Sequence, residues 1–238
     1  MESVLITGIT GGIGSNLAKL YCKNGYKVYG TCSRNSKLFK TFCDKNPNIK
    51  VMQVNHNDLN DVRNVYNNFF KYIQPDIVIN NAGIVRDMFL VKMPQDDFQK
   101  VLTTNLFSAW LIAKELMSHL SENDHRKHRI INVSSISGII GREGQCNYAL
   151  TKGGLIGLSQ LIEHSSLNNR VTSFVVAPGL IDTGIKSKIS KKKINDLESS
   201  TLAKRIGSPI EVANFIFKLS EKMFHIVMEL YIESMVES

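Results

Sequence analysis

Tyr148 and Lys152 stand four residues apart in Tyr148-Ala149-Leu150-Thr151-Lys152, a spacing that puts both on one face of a helix. A phenol has an unperturbed pKa of about 10, too high for easy proton exchange near neutrality. An ammonium group beside it favours the phenolate and is expected to lower that value. A tyrosine tuned in this way can protonate the alkoxide formed when hydride adds to a carbonyl carbon. The four-residue pattern also arises by chance, so its weight depends on its surroundings. Ser135 follows the apolar run Ile130-Ile131-Asn132-Val133 and offers a hydroxyl for a substrate carbonyl oxygen. Asn105, within Thr103-Thr104-Asn105-Leu106, suits a helix-kinking or water-holding role.

A second group of residues reads as a phosphate cradle. Thr7-Gly8-Ile9-Thr10-Gly11-Gly12-Ile13-Gly14 follows an apolar run and opens a helical pattern. Glycines let backbone approach a pyrophosphate, and a helix N-terminus supplies free N–H groups and the positive end of its dipole. Further on, Tyr29-Gly30-Thr31-Cys32-Ser33-Arg34 ends a second apolar run without the carboxylate that would bind a ribose 2′-hydroxyl. Arg34 can pair with a 2′-phosphate instead, and Ser33 can add a hydrogen bond. These residues predict NADP(H) as cofactor.

Such groups converge only if the chain alternates strands with helices. Candidate strands are Ser3–Thr7, Lys27–Thr31, Lys50–Val54, Ile77–Asn80, Arg129–Ser134 and Val171–Ala177. Helical apolar spacing lies between them, as in Ile13, Leu17, Leu20 and Tyr21. The alternation predicts a Rossmann-type, doubly wound parallel sheet of about seven strands with helices on both faces. A chain of 238 residues with 43% hydrophobic composition suits one domain over 1–238. The lysine-rich stretch 180–207 is expected to be a substrate lid. No apolar run is long enough to span a membrane, and the N-terminus lacks a signal-peptide pattern. The cysteines Cys22, Cys32, Cys43 and Cys146 show no metal spacing and fit reduced thiols in the cytoplasm. The net charge of +8 is densest over 186–193. That block fits a solvated face or an acidic partner. Nucleic acid is the weakest reading, because no aromatic residues interleave with the lysines.

Together these motifs resemble the short-chain dehydrogenase/reductase family over roughly residues 3 to 220. The resemblance rests on Thr7–Gly14, Asn80-Asn81-Ala82-Gly83, Asn105, Ser135 with Tyr148 and Lys152, and Ala177-Pro178-Gly179-Leu180-Ile181-Asp182-Thr183. It implies a catalytic tetrad of Asn105, Ser135, Tyr148 and Lys152. It also implies Asn55 and His56 near the adenine, and Asn81, Ala82 and Gly83 along the cofactor. Pro178, Gly179, Ile181 and Thr183 are then placed toward the nicotinamide. Within the family, Asn80–Met88, Gly144–Tyr148 with Lys152–Gly157, and Val175–Gly179 are most similar to 3-oxoacyl-[acyl-carrier-protein] reductases of fatty-acid biosynthesis. That likeness implies an acidic carrier protein as partner, Arg126 and Arg170 as candidate docking residues, and a homotetramer or dimer.

Two departures matter. Relatives often carry a basic residue in the glycine loop where Gly11 stands, and they end in a glycine-rich strand. Residues 222–238 contain no glycine, although a reading frame displaced by one base forces glycine codons across Met228–Glu229 and Met235–Val236. Competing readings are a reductase of another ketone, acetoacetyl-coenzyme A or a sugar, and a cofactor-binding subunit without catalysis.

Overall fold

The computed structural model describes residues 1–34, 38–121, 125–166, 170–184, 190–199, 201 and 203–221. The described strands are β1 (Ser3–Thr7), β2 (Lys27–Cys32), β3 (Lys50–Gln53), β4 (Ile77–Asn80), β5 (His128–Val133) and β6 (Val171–Val176). They form one parallel sheet in the order β3-β2-β1-β4-β5-β6. The sequence predicts about seven strands, and six lie among the described residues. The glycine-free end, 222–238, lies outside them.

The sheet is buried on both faces, as parallel strands require. Alternate side chains divide into two cores. Val4, Ile6, Ile77, Ile79 and Ile131 pack with Leu17 and Tyr21 of α1 (Gly12–Lys23) and Ile216 of α9 (Pro209–Ser220). Leu5, Val78 and Ile130 face the other way. They meet α3 (Leu59–Phe70), α5 (Ser108–Ser118) and α7 (Cys146–His164). The remaining helices are α2 (Phe39–Lys45), α4 (Gln95–Leu102), the single turn α6 (Ser137–Ile140) and α8 (Lys191–Ser199). Tyr21 and Tyr66 are fully buried with their hydroxyls bonded, to Ser220 Oγ at 2.6 Å and Thr31 Oγ1 at 3.0 Å. No helix among the described residues is long and apolar enough to cross a membrane.

All six strands run the same way, so their C-terminal ends share one edge of the sheet. The turns leaving β1, β4, β5 and β6 therefore gather there, at the crevice where the strand order reverses. Helix α3 fastens the far side of that edge. Asp58 caps it, accepting from Asn60 N–H at 3.0 Å and Asp61 N–H at 3.3 Å. Replacing Asp58 by Ala is expected to lower the unfolding free energy by about 1 kcal/mol in urea titrations. An unchanged midpoint would show that the cap contributes nothing.

Candidate active site

The turn after β1 folds onto itself because of two glycines. Gly8 has φ +66, open to glycine at little cost. A side chain on Gly14 would lie 2.4 Å from the Gly8 carbonyl, so only glycine lets α1 start this close to the turn. Gly11 caps α1 without a side chain, and the first turn holds no acidic residue. The helix thus presents bare N–H groups and an uncompensated positive end. Asn81 braces the loop, with Nδ2 donating to the Thr7 carbonyl at 2.9 Å, while Thr7 Oγ1 accepts from Asn81 and Ala82 N–H.

Two cavities flank this loop. One, of about 610 Å³, is walled by the loop, Ser33, Asn55, His56, Ala82 and Gly83. The other, of about 1150 Å³, is walled by Ser135, Tyr148, Lys152, Pro178, Gly179 and Ile181. Ile13, Asn81, Gly83 and Thr183 line both, so the two are one groove suited to an extended dinucleotide. Bare amides at a helix start and a two-part groove fit such a cofactor. Part of the expected lid, 180–184, 190–199, 201 and 203–207, is described, and Leu197, Thr201 and Arg205 close one side of the second cavity. Residues 185–189, 200 and 202 lie outside the described residues.

Three predicted cofactor residues stand apart from the groove. Ile9 is fully buried and supports the loop from the core. Gly14 packs against the loop's own backbone. Arg34 grips Asp61, with Nε 3.0 Å from Oδ2 and Nη2 2.6 Å from Oδ1. Asp61 Oδ2 also accepts from Asn55 N–H at 2.8 Å, so this carboxylate ties the ends of β2 and β3 together. Among the described residues, Nη1 of Arg34 makes no hydrogen bond. His56 is buried and held neutral, its pKa lowered by burial to about 4.

Tyr148 and Lys152 project from α7 into the second cavity, with the ammonium 5.6 Å from the ring centroid. Lys152 is buried, and Nζ donates to the Val133 carbonyl at 2.7 Å. Burial lowers its pKa to about 8. The expected depression of the Tyr148 pKa does not occur in this geometry. Burial raises it above 10, the Ser135 hydrogen bond pulls it back, and the Asp87 carboxylate adds to the rise. Burial wins because the nearby cation is itself desolvated and sits beside the ring. The phenol therefore holds its proton at neutral pH.

Asn105 lies in a π-helical turn, Thr103–Phe107, between α4 and α5. Its amide is committed: Oδ1 accepts from Ile84 N–H at 2.8 Å, and Nδ2 donates to the Ile84 carbonyl at 3.0 Å and Thr151 Oγ1 at 3.2 Å. The side chain thus clamps the turn after β4 to α7. Sequence reasoning assigned no role to Asp87, Ser137, Arg142 or Gln145, which also line the catalytic cavity. Gln145 and Asp87 could have been sought by their nearness in sequence to Tyr148 and to Asn81–Gly83. The docking candidates are at the other edge of the sheet, before β5 and β6. Arg126 is exposed and donates to the Gln74 carbonyl at 3.2 Å. Arg170 is only 8% exposed and donates to the Ser121 carbonyl, which removes it as a surface docking residue.

A groove with a hydroxyl, a phenol and a buried ammonium at one end and a helix start midway suits hydride and proton transfer at a carbonyl. The family model for short chain dehydrogenases matches residues 2–194. The 3-oxoacyl-[acyl-carrier-protein] reductase of Salmonella typhimurium is 32% identical over 94% of this chain and 92% of its own length. The enzyme of the same name from Rickettsia conorii is 33% identical over 90% of this chain and 87% of its own. Nodulation protein G of a Rhizobium species is 30% identical over 92% of this chain and 89% of its own. With a match of this length and relatives spanned almost end to end, the chain belongs to the short-chain dehydrogenase family of oxidoreductases.

Proposed function

We propose that the protein reduces a 3-oxoacyl thioester, carried on an acyl-carrier protein, to the 3-hydroxyacyl form in fatty-acid biosynthesis. The convergence of Ser135, Tyr148 and Lys152 on one cavity, continuous with the loop groove, carries this reading. The names of the relatives supply the substrate class. NADPH, when bound, supplies the hydride that adds to the carbonyl carbon. Ser135 Oγ holds the carbonyl oxygen. Tyr148 gives its phenolic proton to that oxygen as negative charge develops there. The Lys152 ammonium stabilises the phenolate that remains, and its two N–H groups not bonded to Val133 are available to the cofactor ribose. Asn105 keeps the turn after β4 registered against α7.

Arg34 and Ser33 hold the 2′-phosphate in this reading, with Arg34 using the edge that Asp61 leaves open. The acidic carrier is drawn by the net charge of +8, with Arg126 the exposed docking candidate. Assembly as a homotetramer or dimer in the cytoplasm is part of the proposal. Phe107 and Trp110 at the start of α5 and Leu150 and Leu161 on α7 are exposed and are the candidate apolar contacts for that assembly.

NADPH oxidation should proceed with acetoacetyl thioesters in preference to simple ketones, aldehydes and sugars. In the same assay Arg34→Ala should raise the KM for NADPH roughly tenfold and leave that for NADH nearly unchanged. Activity on a sugar alone would move the enzyme to another branch of the family. NADPH binding without turnover of any carbonyl would favour a silent subunit.

The reaction also has a pH signature. Lys152 is charged below about 8 and neutral above it. Loss of the charge removes stabilisation of the phenolate, so kcat/KM should fall as pH rises through about 8. A profile flat well beyond that value would contradict the role given to the ammonium.

A further inference from the structure

Two segments meet at the mouth of the catalytic cavity: the loop after β4, which reaches Asp87, and the elbow between α6 and α7, which carries Gln145. One backbone bond and one side-chain bond fasten them. Met88 N–H donates to the Gly144 carbonyl at 2.8 Å, and the Asn147 amide to the Arg86 carbonyl at 3.0 Å. Beside these anchors runs a chain of side chains. Gln145 Nε2 lies 3.3 and 3.2 Å from the two Asp87 carboxylate oxygens. The Gln145 oxygen accepts from the buried Ser137 hydroxyl at 3.0 Å. Ser137 N–H donates to Ser135 Oγ at 3.2 Å, and Ser135 lies close enough to Tyr148 to pull its pKa down.

A glutamine amide has two ends of nearly the same shape, and its orientation follows from its partners. A carboxylate only accepts, so Asp87 takes the NH₂ end of Gln145 and leaves the oxygen for Ser137. The Ser137 proton is then committed to Gln145 and does not compete for Ser135 or for a substrate oxygen. We propose that Asp87 is a positioning residue for the reduction: its carboxylate orients Gln145, Gln145 holds Ser137, and Ser137 fixes Ser135 Oγ on Tyr148. This inference rests on the reading of the site as a carbonyl reductase. Because Met88 N–H and the Asn147 side-chain amide hold the two segments without help from Asp87, removing the charge of Asp87 leaves the elbow in place and releases only the Gln145 amide.

The test uses the full-length protein with Asp87→Asn, Asp87→Glu, Gln145→Leu and the Asp87→Asn/Gln145→Leu pair. NADPH oxidation is followed with acetoacetyl-coenzyme A. Asp87→Asn should lower kcat roughly tenfold and move the KM for NADPH by less than about twofold, because it misplaces a reacting group rather than the cofactor. Asp87→Glu should restore most of the loss. In the Gln145→Leu background, Asp87→Asn should have no further effect. An equal loss in both backgrounds, or a raised KM at unchanged kcat, overturns the proposal. A second readout needs no turnover: the nitrogen-15 signal of the Gln145 side-chain amide, identified by its loss in Gln145→Leu. It should shift in both Asp87→Asn and Ser137→Ala, and a signal unmoved by either overturns the proposal. A shifted signal in a protein that turns over no carbonyl refutes the reductase reading while leaving the positioning chain supported.

Discussion

The buried ammonium of Lys152 is the interaction on which the site depends. Taking a cation out of water costs several kcal/mol unless partners replace its hydration. The carbonyl at the end of β5 supplies one such partner, through the 2.7 Å bond to Val133. Ser134, the next residue, donates its hydroxyl to the Lys152 main-chain carbonyl at 2.6 Å. The lysine is therefore pinned at both ends to the same strand end. Helix α7 cannot slide along β5 without breaking both bonds, and α7 also carries Tyr148. Position along the sheet and chemistry at its edge are set by the same contacts.

That arrangement divides labour between the two halves of the groove. Around the glycine loop, recognition is made by backbone: bare amides, a positive φ at Gly8 and a carbonyl contact that excludes a side chain at Gly14. Around Tyr148, it is made by side chains whose protons are individually committed. The Tyr148 phenol keeps its proton because it is buried, and the lysine beneath it is close to losing one for the same reason. Desolvation acts in opposite senses on an acid that is neutral when protonated and one that is charged when protonated.

Much of this was legible in the sequence. The six strands β1 to β6 alternate with helical patterns because burial on both faces makes each strand a short apolar run, burial of one stripe gives each helix apolar residues with a period of about 3.6, and burial is local to each element. The spacing of Tyr148 and Lys152 is likewise a helix property. What escaped was set by partners distant in sequence. Nothing near Arg34 announces Asp61, 27 residues on, which holds its guanidinium. Arg170 reads as a surface arginine until its guanidinium meets the Ser121 carbonyl. Ile9 looks like part of the cradle, yet its side chain is fully buried. Asn105 lies in a π-helical turn, and its clamp on Ile84 depends on how the turn after β4 approaches α7. The lowered Tyr148 pKa was expected from charge proximity alone, and burial depth is not written in a four-residue motif.

In the proposed reaction Tyr148 donates the proton from a site that binds cofactor independently of it. Removing one hydroxyl tests it most directly, by comparing turnover and NADPH binding in wild type and Tyr148→Phe. Turnover should fall by a factor on the order of a hundred or more while the NADPH dissociation constant stays within about threefold. Turnover that survives the substitution would contradict it.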